Sequence, residues 1–114
     1  MFVSAKNRFD CDDGSIIVEY TNGTKIWWLN RRQHRLDGPA IERKDGSKEW
    51  FINGKRHRLD GPAIIWSDGT KEWWIEGIQY SEKIFLEAII TFLLNCNKET
   101  AIILKEMLHE KDIT

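Results

Sequence analysis

From Asp13 to Tyr80 apolar and polar residues alternate with period two, in short runs broken by glycine-bearing pairs, and from Ser81 the period turns helical. In the runs 25–29, 48–52 and 71–75 the alternation puts Lys25, Trp27 and Leu29 on one face, with Lys48, Trp50, Ile52 and Lys71, Trp73, Ile75 as their equivalents. The other face carries Ile26 and Trp28, then Glu49 and Phe51, then Glu72 and Trp74. Each face therefore presents a column of aromatic rings. Asn22-Gly23, Asp45-Gly46 and Asp68-Gly69 tolerate the positive φ of a tight type I′ turn, which predicts a β-hairpin for each unit. Further turn signals lie around Gly54 and Gly77 and at Asp37-Gly38-Pro39 and Asp60-Gly61-Pro62. Pro39 and Pro62, lacking a ladder donor, belong at strand starts. The whole reads as an antiparallel meander of about six strands.

Under this pattern lies a duplication. The stretch HRLDGPAI runs from His34 to Ile41 and again from His57 to Ile64, a period of 23 residues. After three variable residues each copy continues alike, as Asp45-Gly46-Ser47-Lys48-Glu49-Trp50 and as Asp68-Gly69-Thr70-Lys71-Glu72-Trp73. A degenerate unit from Asp13 to Asn30 precedes them, as a capping repeat would. Residues 1–12 suit an edge strand or a lead-in. Beyond Tyr80, Ser81 can cap a helix whose first residue is Glu82. Its only polar stripe is Lys83, Glu87 and Thr91, so it should be covered on more than one side. A break at Asn95-Cys96-Asn97 leads to a second helix from about Lys98 to Glu110. The expected fold class is α+β: a sheet of hairpin repeats over 13–80, then a C-terminal helical hairpin over 81–114 packed on one of its faces, all in a single domain.

Composition narrows the function classes. Lys and Arg number 17 against 18 Asp and Glu, a net charge of −1, so no global field draws the chain to nucleic acid or to an acidic membrane. With no apolar run long enough to span a bilayer and no signal-like start, the reading is a soluble, cytoplasmic protein. Cys11 and Cys96 make no disulfide framework and read as free thiols. Of the six tryptophans, five (Trp27, Trp28, Trp50, Trp73 and Trp74) fall at just two positions of the unit.

Those residues resemble a known family. HRLDGPAI followed by DGSKEWFINGK, and a last unit ending DGTKEWWIEGIQYSEKIF, are similar to the MORN-like repeats common in bacteriophage and large-virus proteins. The resemblance covers roughly 13–86. It implies hairpin repeats, a phage or mobile-element origin and a binding role, and it supplies neither a catalytic residue nor a partner.

Two readings of the repeated basic residues stand side by side. His34, Arg35, His57 and Arg58, with Arg32 and Lys55 nearby, could line a rim that holds phosphates of a nucleotide or nucleic acid. Alternatively they serve the unit itself, bonding to turn carbonyls or pairing with Asp37 and Asp60. The aromatic columns divide likewise between base stacking and a protein interface. Interface is favoured for the column beside Glu49 and Glu72, whose carboxylates would repel phosphates. No zinc pattern, phosphate loop or nucleophile beside a base is present, so no catalytic residue, metal or cofactor is expected. The expectation is a non-enzymatic interaction protein that binds and occludes a host protein, for example a defence or regulatory factor. Trp28, Phe51 and Trp74 would be its anchors, with Arg35 and Arg58 orienting the partner. The competing classes are a nucleotide or nucleic-acid binder and a self-associating structural subunit, with a twofold dimer through the C-terminal helices as the simplest self-contact.

Overall fold

A computed structural model describes residues 3–96 of the chain. The chain divides into two compact units, one ending at Gln79 and one starting at Tyr80. The first is the repeat sheet, the second carries the helix, and the fold is α+β as the periodicities predict.

The sheet begins with β1 (Ala5–Asp10), an edge strand exposed along its whole length, paired antiparallel to β2 (Ile16–Tyr20). Next come β3 (Lys25–Leu29) and β4 (Arg32–Gln33), then β5 (Ile41–Glu42) and β6 (Lys48–Glu49). After these come β7 (Phe51–Ile52), β8 (Lys55–Arg56), β9 (Ile64–Ile65), β10 (Lys71–Ile75) and β11 (Ile78–Tyr80). The main sheet runs β1-β2-β3-β5-β6-β9-β10-β11, with β4 also on β3 and β7-β8 forming a separate ribbon. Strands outnumber the expected meander because each long one serves two partners. The first half of β3 pairs with β5, Ile26 opposite Ile41, and its second half pairs with β4, Trp28 opposite Gln33. At Trp50 this division breaks the strand altogether, into β6 in the sheet and β7 in the ribbon.

Two kinds of turn produce the split. At Asn22-Gly23, Asp45-Gly46 and Asp68-Gly69 only the glycine has positive φ (85°, 94° and 89°), so these are three-residue loops with a bulge and not the type I′ turns expected. The cause is the side chain before each glycine. Asn22, Asp45 and Asp68 accept the N–H of Thr24, Ser47 and Thr70 at 3.0, 2.8 and 2.8 Å, which fixes a local turn and keeps φ negative. The paired positive φ of a type I′ turn falls instead at Asn30-Arg31, Asn53-Gly54 and Glu76-Gly77. These three hairpins lie side by side: Arg35 N–H bonds to Phe51 O and Gly54 N–H to Gln33 O, and Arg58 to Trp74 and Gly77 to Arg56 repeat the pattern one unit on.

The buried residues of the sheet mark the repeat. Ala40 and Ala63 are fully buried beside Ile41 and Ile64, and Trp27 and Trp50 donate their backbone N–H to the carbonyls of Ala40 and Ala63 at 2.8 and 2.7 Å. Glu49 and Ser47 are buried with them, Ser47 Oγ accepting the N–H of Ser67 at 2.9 Å and so tying one unit to the next.

In the second unit α1 (Glu82–Cys96) starts where the sequence places it, with Ser81 Oγ accepting the N–H of Ile84 at 3.3 Å. Phe85 and Ile90 are buried, whereas Ile84 and Leu94 are exposed. The second helix expected from Lys98 to Glu110 lies outside the described residues. Among the described residues no helix is long and apolar enough to cross a membrane.

Candidate functional site

The histidine, arginine, aspartate and glycine of the repeated HRLDGPAI each have a distinct structural task. Arg35 lays its guanidinium over the Trp27 ring at 3.9 Å, donates from Nε to Asp37 Oδ1 at 2.9 Å and from Nη1 to the Pro39 carbonyl at 3.1 Å. Arg58 does the same over Trp50 at 3.9 Å, to Asp60 at 2.8 Å and to Pro62 at 3.0 Å. The loop thus wraps around its own arginine. That is why a glycine follows the aspartate: a Cβ on Gly38 or Gly61 would lie 2.8 Å from the guanidinium carbon, inside van der Waals contact. His34 Nδ1 accepts the backbone N–H of Asn53, and His57 Nδ1 that of Glu76, each at 3.0 Å. Asn53 and Glu76 open the next unit's type I′ turn, so each histidine clips its unit to the one after it. The pair needs Nδ1 unprotonated, which assigns the proton to Nε2. The last unit has Tyr80-Ser81 at these positions, where no further repeat follows to be clipped.

This geometry separates the residues that the sequence groups together. Arg35 and Arg58 lie on the Trp27 and Trp50 face, whereas Trp28, Phe51 and Trp74 are on the opposite one by strand alternation. The two arginines and the three rings expected to anchor a partner thus lie on opposite faces of the sheet. The cation that does join Phe51 and Trp74 is Arg56, 5.8 and 4.9 Å from their ring centres. Arg56 is legible in principle, since a two-residue turn at Asn53-Gly54 sets it opposite Phe51, as β7 and β8 pair.

The phosphate rim is also rearranged. Arg35 and Arg58 side chains are 22% and 21% exposed, while the Asp37 and Asp60 side chains that cover them are each 86% exposed. Hydrogen bonding and the charge of Arg35 hold the Asp37 carboxyl below the usual carboxylate range, so it is ionised at neutral pH. Of the expected basic set only Arg32 and Lys55 are well exposed, and their stems lie over the turn glycines Gly54 and Gly77. Glu49, expected to repel phosphates at the surface, is instead 2% exposed and receives Arg43 Nε at 3.1 Å and Arg43 Nη2 at 2.5 Å, with Arg56 Nη2 at 3.8 Å. Its equivalent Glu72 accepts the indole N–H of Trp66 at 2.6 Å and of Trp74 at 3.1 Å.

Between the two wrapped loops runs a cleft of about 460 Å³. Trp50 and Ile52 line it together with Leu36, Asp37, Leu59 and Asp60. Leu36 is 82% exposed at its rim. A concave site that sets these apolar side chains among Arg35, His57, Arg58 and the two aspartates can hold side chains of a partner. Among the described residues no group of three or more His, Cys, Asp or Glu could hold a metal ion, and Cys11 is a free thiol. Compared with protein-family models, with curated proteins and with solved structures, the chain matches none.

Proposed function

We propose that the protein is a non-enzymatic interaction module that docks onto a partner protein through the cleft between its two HRLDGP loops. One observation carries this reading: the guanidiniums of Arg35 and Arg58 are turned inward and engaged by their own loops, leaving Leu36 and Leu59 to face outward over a Trp50 and Ile52 floor. A rim of that composition suits an apolar protein contact better than phosphate. In keeping with the phage-type resemblance of the repeats, the partner is a host protein, and the module acts in the host cytoplasm by occluding the surface it covers. Trp28, Phe51 and Trp74, with Arg56 between the last two, form a second aromatic surface on the opposite face.

The test is native mass spectrometry of the gently purified protein from cells of its own host. A host protein at defined stoichiometry is expected with the wild type and not with a Leu36→Asp, Leu59→Asp double variant that keeps its near-ultraviolet tryptophan signal. If Phe51→Ala and Trp74→Ala abolish the complex and the leucine pair does not, the docking surface is the other face. A bound nucleotide or oligonucleotide without any protein would overturn the reading.

A further inference from the structure

The charges that line the cleft differ in what they have left to offer. Arg35 and Arg58 each spend one ring-stacked face on tryptophan and donate from Nε and Nη1 within their own loop, Arg35 also standing 3.5 Å from Glu42. Asp37 and Asp60 each give one oxygen to that arrangement and hold the rest of the carboxylate in solvent. An ionised carboxylate has about four acceptor sites, so one arginine N–H leaves capacity for further donors; the guanidiniums also keep spare N–H groups, but their side chains are 22% and 21% exposed against 86% for each aspartate. Because the loops belong to successive units and line one cavity, the two carboxylates flank the same cleft. Leu36, Leu59, Ile52 and Trp50 line the same cleft.

We propose that the cleft receives a lysine or arginine side chain from an apolar-flanked segment of the partner protein. This rests on the docking reading above. The methylene stem packs along Trp50 and Ile52, and the cationic head reaches the carboxylates of Asp37 and Asp60, an arrangement that amphipathic basic side chains adopt readily. The volume fits one long side chain and a neighbouring apolar residue, at the small end of ligand sites. An acidic side chain in the same place would face two carboxylates that are far more exposed than the two guanidiniums.

The test uses the full-length chain, isotopically labelled, titrated with the capped peptide Gly-Leu-Lys-Leu-Gly and with its counterpart carrying glutamate for lysine. The lysine peptide should shift the Trp50 indole N–H and the Leu36 and Leu59 amides saturably, and the glutamate peptide should not. Asp37→Asn with Asp60→Asn, which preserves an acceptor for each arginine, should weaken the lysine peptide about two- to fivefold per carboxylate, the range of an exposed ion pair. Equal or stronger shifts with the glutamate peptide, or no shift with either, would overturn the proposal. If neither peptide binds yet the leucine double variant still loses the host protein, only the basic-side-chain chemistry fails. If the leucine variant retains the host protein, the docking reading itself fails.

Discussion

On the face of Trp27 and Trp50 the loops at 34–40 and 57–63 repeat one another almost atom for atom, down to the same 3.9 Å stack and the same 3.0 Å histidine clip. On the opposite face the same spacing brings like carboxylates to unlike partners: Glu49 to Arg43 and Arg56, Glu72 to Trp66, Trp74 and Gln79. The first face is duplicated because its contacts hold a unit together and join it to the next. The second face has diverged because its donor positions differ, Arg43 and Arg56 in one unit standing where Trp66 and Gln79 stand in the next, and each unit satisfies its carboxylate with what those residues supply.

The sharpest way to test that difference is to remove the carboxylates. Glu49 is buried between two guanidiniums that are about two-fifths exposed, so Glu49→Ala should cost about 2–3 kcal/mol, below the full penalty of a broken buried pair because Arg43 and Arg56 can return to water. Glu72 is half-buried and takes neutral donors, so Glu72→Ala should cost about 1–2 kcal/mol by loss of its hydrogen bonds. Urea unfolding of the two variants measures both; equal losses would mean that the two carboxylates do the same job despite their partners.

The duplicated face should give matched losses instead. Arg35→Lys and Arg58→Lys each keep the charge and lose the planar fork that stacks on tryptophan while bonding to aspartate and a carbonyl, at a cost of about 1–2 kcal/mol apiece. The two values should agree to within about 0.5 kcal/mol, the allowance being for the 3.5 Å contact of Arg35 with Glu42, whose equivalent beside Arg58 is Ile65. A large inequality would show that the loops are alike in geometry only.

Much of this was legible in the sequence, and the part that was not has a physical reason. Strand alternation sorts Trp27 from Trp28 and Trp50 from Phe51, and Ser81 marks the helix start, because both depend on spacing along one element. The turn types differ from the expectation because an Asp-Gly pair fits two loops, and the bond from aspartate to the N–H two residues on decides between them. The task of His34 is invisible for a different reason. Its partner, the N–H of Asn53, is a backbone group 19 residues away, and no side-chain pattern announces it. The burial of Glu49 beneath Arg43 depends likewise on where a variable residue lies after the hairpin closes.

A smaller, stabilising effect distinguishes the three type I′ turns. Arg31 and Glu76 hold φ of 65° and 47°, a left-handed conformation that costs a residue with a Cβ about 1 kcal/mol, while the turn at Asn53-Gly54 uses residues suited to it. Arg31→Gly should therefore raise stability by about 0.5–1 kcal/mol. The same change at Lys44, in a turn of the other type, should not. Thermal unfolding of the two variants provides the check.

The smallest effect is a dependence on acid that the turns do not share equally. Hydrogen bonds from Ser47 hold the Asp45 carboxyl below its ordinary value, those from Thr70 do so for Asp68, and those from Ser15 for Asp13. As pH falls through the ordinary carboxylate value, near 4, the unfolded chain takes up protons before the folded one does. The contribution of these turns is thus complete above that value and disappears as pH drops through the lower, folded-state values. Asn22 forms the equivalent bond to Thr24 with a side chain that does not titrate, so that turn serves as the internal control. Asp45→Asn with Asp68→Asn should keep both loops and flatten the acid limb of stability measured by urea unfolding between about pH 5 and pH 2. An unchanged slope in the double variant would place the acid sensitivity in the lowered carboxyls it leaves in place, Asp13 in the first turn, Glu19 beside Asn7 and Lys25, and Asp37 beside Arg35.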